Sequence, residues 1–208
     1  MSAFTASPWL ISGKYGNRGA LLNMLAKCGT SEVLEGSSHD KAVSHVILCG
    51  VGSFDEGLRH IDESNLRNEL MENLQNLRIP ILGICLGAQM LGGSSEEGKR
   101  SGLGWIKART THLKSQGLEM VPHVGWQQLT ILKEDPLFEG LAPDARFYFS
   151  HSYGMVDVPA DQKLAVPSKG PSFAAVVRKG NAWGVQFHPE KSLRHGMQIL
   201  SNFLRFRP

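Results

Sequence analysis

The sequence has few cysteines and no long hydrophobic run, and each absence excludes a class of protein. Three cysteines among 208 residues, without metal-ligand spacing, argue against a disulfide scaffold and favour a reducing compartment. No apolar stretch approaches the roughly 20 residues that a transmembrane helix needs. Residues 1–8 carry neither the basic residues nor the apolar run of a secretory signal. We therefore expect a cytoplasmic protein that does not associate with membranes.

The sequence also lacks a large net charge and nucleotide-binding motifs. Lysine and arginine number 22 against 19 aspartates and glutamates, and the small surplus is spread along the chain, so nucleic acid is not an expected partner. The sequence has no Walker-type phosphate loop and no G-x-G-x-x-G, which argues against nucleotide hydrolysis and hydride transfer. The histidines show no metal-ligand spacing, so we expect neither a metal nor another cofactor.

The first 92 residues alternate short apolar runs with helical patterns. Strand, helix, strand, helix is the signature of a parallel sheet covered on both faces. The predicted strands are residues 9–11, 43–49 and 79–84, and the predicted helices are residues 18–28, 55–77 and 86–91.

The C-terminal half changes character. Short β-rich segments separated by glycine, proline and aspartate read as antiparallel additions, and a helix is expected over residues 193–206. These segments are residues 110–132, 146–158 and 173–187. The complete pattern of strands and helices predicts an α/β fold in one domain, residues 1–208, with a central, mostly parallel twisted sheet and flanking helices.

The sharpest local signal is Gly83-Ile84-Cys85-Leu86-Gly87, directly after an apolar run. This is the nucleophile-elbow pattern with cysteine in the nucleophile position. Small neighbours permit a strained strand-to-helix turn, and the helix N-terminus favours a thiolate and later an oxyanion. The alternative is a buried structural cysteine. Neither Cys28 nor Cys49 is flanked by glycines on both sides, which favours structural roles for these two cysteines.

A second signal is the segment Trp183-Gly184-Val185-Gln186-Phe187-His188-Pro189-Glu190-Lys191, in which an apolar β-run has His188 at its C-terminal end and a carboxylate follows two residues later. A cysteine nucleophile needs a base to take and return its proton, and the base needs an acceptor that orients it. His188 and Glu190 supply both residue types. The alternative is a surface histidine before a helix, with Glu190 favouring the helix dipole.

These signals belong to a series of motifs that resembles the class I glutamine amidotransferases. Within that family the series resembles the glutaminase subunits of imidazole glycerol phosphate synthase. The P-H-V-G-W and F-Y-F-x-H-S-Y segments are the motifs that limit the resemblance to this group. The resemblance implies a flavodoxin-like fold. The motifs are residues 50–54, 83–89, 95–98, 102–104, 122–126, 147–153 and 184–192.

The resemblance implies a role for each matching residue. Cys85 would attack the side-chain amide of glutamine and form a thioester, His188 would shuttle the proton, and Glu190 would orient His188. The oxyanion hole would comprise the N–H of Leu86 and an N–H of the Val51–Gly52 turn. The amino-acid end of glutamine would be held by Gln89, Glu97, His151 and Ser152.

The resemblance also implies a partner, a separate cyclase chain with a (β/α)8 barrel that receives ammonia through a dry channel. Candidates for contacts with this partner and channel are Asn17, Trp126, Tyr148 and Lys191. For Trp126, Tyr148 and Lys191, aromatic packing beside a solvated lysine is the alternative.

Two departures from the family pattern leave the function partly open. The family's aspartate-tyrosine-glycine turn is here residues 12–17, of which only Gly16-Asn17 matches, and Cys49 replaces the proline before the oxyanion turn. The segment 102–105 looks more like relatives that supply ammonia for amidino-sugar synthesis in surface polysaccharides. A stand-alone cysteine hydrolase and a non-enzymatic regulatory subunit are also compatible with the pattern.

Overall fold

The computed structural model describes residues 6–12, 17–30, 32–35, 43–76, 79–170 and 172–208. The strands are β1 Pro8–Ser12, β2 His45–Gly50, β3 Ile81–Cys85, β4 Ser94–Ser95, β5 Arg109–His112, β6 His123–Ile131, β7 Arg146–His151, β8 Tyr153–Val156, β9 Lys163–Pro167, β10 Val176–Lys179 and β11 Ala182–Val185. The α-helices are α1 Arg18–Lys27, α2 Phe54–Glu63, α3 Leu66–Asn76, α4 Leu86–Met90 and α5 Leu193–Arg205, and the 3-10 helices are Leu113–Gln116, Pro136–Phe138 and Pro189–Lys191.

The main sheet has eight strands in the order β1-β2-β3-β11-β10-β9-β6-β7. The pairs β1–β2, β2–β3 and β3–β11 are parallel, so the carboxyl ends of these four strands meet at one edge. The remaining pairs are antiparallel. A smaller sheet has the order β4-β5-β8. The predicted α/β fold, with a parallel sheet and antiparallel additions, is confirmed.

Two hydrophobic clusters cover the two faces of the main sheet. Strand β2 shows the period of two that this requires, because Ile47 belongs to one cluster while Val46 and Leu48 belong to the other. Helices α1 and α5 pack on the Ile47 face, and α2, α3 and α4 pack on the opposite face. Within the described residues, no helix is long and apolar enough to cross a membrane.

The predicted single helix over residues 55–77 is wrong. The structure has two helices there, with a break at Ser64 and Asn65, and Asn65 adopts a left-handed φ of 55°. The step from Ile61 to Leu66 is five residues, which turns the apolar face by roughly 140° away from the preceding stripe. A break restores the contact of Leu66 with the core, and asparagine tolerates the left-handed conformation well. Residue 77, where the prediction ended, lies outside the described residues.

Gly87 permits the close approach of α4 to β2. A Cβ at this position would lie inside the contact radius of the backbone carbonyl oxygen of Leu48, which cannot move without disturbing the sheet. We therefore expect Gly87→Ala to destabilise the fold by more than about 3 kcal/mol. Urea unfolding measures this free energy. Gly19→Ala is the matched control because its added Cβ meets nothing within 4 Å in α1, and it should stabilise by about 0.5–1 kcal/mol. Equal unfolding free energies for Gly87→Ala and the unchanged protein would contradict this account.

Candidate active site

Cys85 lies at the point where β3 ends and α4 begins. Its backbone has φ 52° and ψ −108°, a conformation that a non-glycine residue adopts at a cost of about 1–3 kcal/mol. The turn is tight enough that a Cβ on Gly83 would lie 2.7 Å from the backbone of Gly87 and Ala88. The predicted strained elbow is therefore present. The residue sits at the helix N-terminus, where unpaired backbone N–H groups favour negative charge.

His188 and Glu190 form a buried pair beside Cys85. The Nδ1 atom of His188 lies 2.8 Å from Oε1 of Glu190, and both side chains are 4% exposed. Because Nδ1 is engaged with the carboxylate, the other ring nitrogen is left for the Cys85 thiol, with which His188 interacts electrostatically. The main chain of His188 is held as well, because its N–H donates to the carbonyl of Tyr148 and its carbonyl accepts from the Ser192 hydroxyl at 2.6 Å.

The surroundings of His188 favour its protonated form. Burial alone lowers the pKa of His188, but hydrogen bonds and charge from Cys85 and Glu190 outweigh burial and raise this pKa from 6.5 to about 10. An imidazolium here can stabilise a thiolate on Cys85 and can donate a proton to a leaving group. The three residues that the sequence predicts as a triad thus lie together, and their electrostatics would suit an activated nucleophile.

A cavity of about 210 Å³ opens above Cys85. It has room for a small amino acid, and the predicted nucleophile, the predicted oxyanion turn and the predicted substrate-binding residues share its wall. The lining residues are Val51, Gly52, Cys85, Leu86, Gln89, Glu97, Ser150, His151, Ser152 and Tyr153. Eight of these ten were singled out from the sequence, the exceptions being Ser150 and Tyr153.

Glu97 links the cavity to the predicted oxyanion turn, Val51–Gly52. Its carboxylate accepts a hydrogen bond of 2.8 Å from the N–H of Phe54, at the start of α2 and two residues after Gly52. Burial raises the pKa of Glu97, the hydrogen bond from Phe54 opposes this, and the charge of Asp55 raises it further. Asp55 itself accepts from the N–H groups of Lys99 and Arg100, which ties the Glu97 loop to α2.

His151 is buried in the wall of the cavity. Burial lowers its pKa from 6.5 to about 3, only partly offset by the bond to the Tyr153 carbonyl, so the ring is neutral at pH 7. Its Nδ1 lies 2.7 Å from that carbonyl, and its Nε2 lies 3.2 Å from Nδ1 of His123. A carbonyl only accepts, so Nδ1 of His151 carries the proton. His151 therefore shapes the wall without adding charge to the cavity.

Among the described residues, no group of three or more histidine, cysteine, aspartate or glutamate side chains has the geometry to hold a metal ion. The groups at this site with the chemistry to react are Cys85, His188 and Glu190. A cysteine beside a protonated histidine, under a helix N-terminus and facing a cavity, is suited to acyl transfer.

The family model described as "Glutamine amidotransferase class-I" matches residues 15–206, nearly the whole chain. This chain belongs to that family. The amidotransferase is 41% identical over 190 residues to "Imidazole glycerol phosphate synthase subunit HisH 2" of Pseudomonas aeruginosa, covering 91% of this chain and 94% of the relative. It is 40% identical over 192 residues to "Imidazole glycerol phosphate synthase subunit HisH" of Bdellovibrio bacteriovorus, covering 90% and 94%.

Solved structures bear out the fold of the amidotransferase. The structure described as "Structure of PurLQS from Thermotoga maritima" superposes with a TM-score of 0.73, covering 96% of this chain and 97% of that one, at 17% identity. A glutamine amidotransferase from Thermotoga maritima gives a TM-score of 0.62, covering 90% and 76%, at 19% identity. At these identities the likeness shows the shared fold.

Three of the four predicted partner-facing residues of the amidotransferase, Trp126, Tyr148 and Lys191, form one surface patch. The rings of Trp126 and Tyr148 lie 5.8 Å apart, and Nζ of Lys191 lies 5.5 Å from the centre of the Tyr148 ring. Trp126 is 44% exposed, and Val124, two residues earlier on β6, is 54% exposed. Trp126, Tyr148, Lys191 and Val124 are called the aromatic patch below.

The remaining predicted positions divide between the site and the scaffold. Asn17 is exposed and, with Cys49 and Glu190, borders a void of about 20 Å³ beside the triad. Burial raises the pKa of Cys49 to about 12, which keeps it a thiol. Cys28 packs against α5, where its Sγ lies 3.7 Å from the carbonyl of Met197. Of the turn over residues 12–17, residues 13–16 lie outside the described part of the chain.

Sequence reasoning missed three residues that hold the site together. Ser192 fixes His188 through its hydroxyl, and Asp55 fixes the Glu97 loop. Gln186 is fully buried, and its Nε2 lies 3.6 Å from Sγ of Cys85. A glutamine that directly follows an otherwise apolar strand, two residues before the predicted base, is a signal that could have identified Gln186.

Proposed function

We propose that this chain is the glutaminase subunit of an imidazole glycerol phosphate synthase, which releases ammonia from glutamine for histidine biosynthesis. The observation that carries the proposal is the buried Cys85–His188–Glu190 arrangement facing a cavity of amino-acid size, in a chain about 40% identical to subunits of that name. The proposed location is the reducing cytoplasm, which suits the free thiols of its cysteines.

The proposed reaction follows from the positions of the three residues. Sγ of Cys85, as thiolate, attacks Cδ of the glutamine side chain, and the oxygen becomes an oxyanion facing the N–H groups of Leu86 and the Val51–Gly52 turn. Protonated His188 gives its proton to the leaving nitrogen, the C–N bond breaks, and ammonia leaves a glutamyl thioester. His188 then takes a proton from water, which attacks the thioester to yield glutamate and regenerate Cys85.

The walls of the cavity supply the contacts for the amino-acid end of glutamine. We assign the α-ammonium to the half-buried Glu97 carboxylate and place Gln89 beside it, with the backbone of His151 and Ser152 on the opposite wall. Because Glu97 also holds Phe54, substrate bound there would act on the start of α2 and hence on the oxyanion turn.

The oxyanion turn is the proposed site of control. Gly52 has a φ of 116°, which only glycine adopts readily, and Val51 is 39% exposed. The orientation of this peptide decides whether an N–H or a carbonyl faces the oxyanion, and one lost donor costs about 3 kcal/mol. We therefore expect low glutaminase activity for the chain alone and strong activation by its partner.

The aromatic patch is the proposed docking surface for a separate (β/α)8-barrel cyclase. Partly exposed tryptophan and tyrosine rings beside a lysine have the composition of interface anchors. Tyr148 is also bonded through its carbonyl to the His188 N–H, which joins the patch to the catalytic base. Ammonia would leave Cys85 toward this surface.

Amidino-sugar synthesis in surface polysaccharides stays the second candidate, with the same glutaminase chemistry and a different acceptor. Its only support is the segment Gly102-Leu103-Gly104-Trp105. None of these four residues lines the cavity, and the Trp105 indole N–H donates to the carbonyl of Lys179 at 3.1 Å. The segment therefore acts as packing behind α4 and gives no information about the acceptor.

The function is tested by measuring glutamate and ammonia production from glutamine, by the chain alone and with candidate cyclases. Strong activation by the histidine-pathway cyclase loaded with its nucleotide ligand is the expected result. Activation only by a cyclase of amidino-sugar synthesis would leave the proposed glutaminase chemistry unchanged and would assign the chain to the surface-polysaccharide pathway. Equal hydrolysis with and without any partner would contradict the proposed control.

Trp126→Ala should weaken binding of the activating cyclase by about 30-fold, because a truncated aromatic anchor typically costs about 2 kcal/mol or more. Titration of the cyclase, with glutamate production as the readout, gives the apparent affinity. The matched control is Leu132→Ala, which removes a similarly exposed apolar side chain just beyond the far end of β6 and should bind normally. Loss of affinity in the Leu132 variant alone would place the interface elsewhere.

A further inference from the structure

We propose that Gln186 is a positioning residue that donates a hydrogen bond to Sγ of Cys85 and joins the nucleophile to Gln89 in the substrate cavity. The inference rests on the proposed function and adds a residue to it. It depends on three hydrogen bonds, on the orientation they impose on two side-chain amides, and on the burial of Gln186.

A continuous chain of polar atoms runs from the cavity wall to the nucleophile. The Nε2 atom of Gln89 lies 2.9 Å from the carbonyl oxygen of Tyr153 and 3.0 Å from Oε1 of Gln186. The Nε2 atom of Gln186 in turn lies 3.6 Å from Sγ of Cys85. Gln89 and Tyr153 both line the cavity above Cys85. These three hydrogen bonds therefore join the sulfur of Cys85 to two residues of the cavity wall.

The Tyr153 carbonyl fixes the donor and the acceptor of each hydrogen bond between Tyr153, Gln89, Gln186 and Cys85. A backbone carbonyl only accepts, so the atom of Gln89 that faces it must be the NH₂ group. That same NH₂ group faces Gln186, so Gln186 must present its carbonyl oxygen there. The NH₂ group of Gln186 is then turned toward Cys85, and the sulfur receives an N–H donor.

A donor at this position favours the charged form of the nucleophile. A hydrogen bond to an ion is about twice as strong as one between neutral groups, so the N–H of Gln186 stabilises a thiolate more than a thiol. The bond weakens when Sγ becomes the neutral sulfur of a thioester, and it reforms when the thiolate leaves. Gln186 thus assists His188 without taking part in the proton transfer.

The burial of Gln186 indicates that its amide has a specific role. Gln186 has no exposed surface, and the residues before it, Trp183 and Val185, are apolar and buried. An amide buried among such neighbours costs free energy unless its partners are satisfied. An apolar residue would continue the strand at lower cost. The two bonds of the Gln186 amide go to the nucleophile and to a residue of the cavity wall.

The test is the pH dependence of Cys85 alkylation by iodoacetamide, followed by mass spectrometry of the Cys85 peptide. Gln186→Met, which keeps the length and removes the donor, should shift the midpoint of the rate profile upward by about one pH unit. Gln186→Glu, which replaces the donor by an acceptor, should shift it in the same direction. Thermal unfolding of each variant verifies that the fold is retained at the assay temperature.

Asn181→Leu is the matched control. Asn181 is a buried amide immediately before β11, at the other end of the strand from Gln186, and it donates to the carbonyl of Ile79 at 2.7 Å. This variant should lose stability and keep the unchanged alkylation profile. A shift in both Gln186 variants and none in Asn181→Leu is the expected result.

Two outcomes would overturn the inference. If the unchanged protein reacts at low pH and both Gln186 variants follow the same profile, the positioning role is wrong and the proposed function stands. If Cys85 of the unchanged protein reacts like an ordinary exposed thiol, then its assignment as nucleophile fails and the role of Gln186 fails with it.

Discussion

Cys85→Ala is expected to reduce partner-activated glutamine hydrolysis by about 10⁴-fold or more, because no thioester can form without the sulfur. His188 and Glu190 would remain, yet they have no nucleophile to activate. The measurement is glutamate production at saturating glutamine in the presence of the cyclase that activates the unchanged chain. Cys28→Ala and Cys49→Ala are the matched controls, since both thiols lie outside the cavity, and both should retain most activity.

Substitutions at the same position should show that the backbone of Cys85 is strained. Cys85 has a positive φ, which glycine adopts without penalty, so Cys85→Gly should be more stable than Cys85→Ala by about 1 kcal/mol in urea unfolding. Full activity in Cys85→Ala would refute the proposed mechanism. Equal stability of the glycine and alanine variants would refute the strain argument alone.

Glu190→Gln is expected to reduce turnover by about 10²- to 10⁴-fold. The carboxylate holds Nδ1 of His188 at 2.8 Å and, after Cys85, provides the strongest support for the imidazolium. Glutamine keeps the size of the side chain and removes the charge, so the pKa of His188 should fall. His188 would then spend more time neutral and would donate its proton to the leaving nitrogen less effectively. Glutamate production with the activating cyclase measures the loss.

The pH dependence of stability provides an independent readout of this pair. The pKa of His188 in the fold, about 10, lies above its ordinary 6.5, so its protonated form stabilises the fold fully below pH 6.5. That contribution is lost as pH rises through 10. In Glu190→Gln this contribution should be smaller and its loss complete at a lower pH, which urea unfolding at pH 6 to 10 can detect. Unchanged turnover and an unchanged stability profile in Glu190→Gln would contradict the role given to this residue.

The elbow could be predicted from sequence because its requirements are local. A cysteine between small residues after an apolar run specifies a tight strand-to-helix turn, and Gly83 and Gly87 occupy places where a Cβ would meet backbone. His188 and Glu190 are two residues apart, so their pairing also needed little knowledge of the fold. The parallel strands followed from the alternation of strand and helix patterns.

Features that depend on distant contacts could not be predicted in this way. Gln186 is 101 residues from Cys85, and only the parallel pairing of β3 with β11 brings the two together. The bond between Glu97 and Phe54 spans 43 residues and depends on how the loop after α4 folds back. The break at Asn65 was missed because a leucine-rich pattern was extended across a five-residue step.

The surroundings of the histidine segment distinguish between a catalytic and a merely structural His188. A surface histidine before a helix would be solvated, whereas His188 is buried and bonded at its ring, its N–H and its carbonyl. A regulatory subunit without turnover would have no need for the strained conformation of Cys85. These features favour an enzyme that retains its glutaminase reaction.

The role of Cys85 as the nucleophile can be tested by mass spectrometry of the chain after reaction with a diazoketone analogue of glutamine. We expect one stoichiometric adduct on Cys85, protection by excess glutamine, and no adduct on Cys28 or Cys49. An unmodified Cys85, or equal labelling of all three cysteines that glutamine does not prevent, would contradict the assignment of Cys85 as the nucleophile.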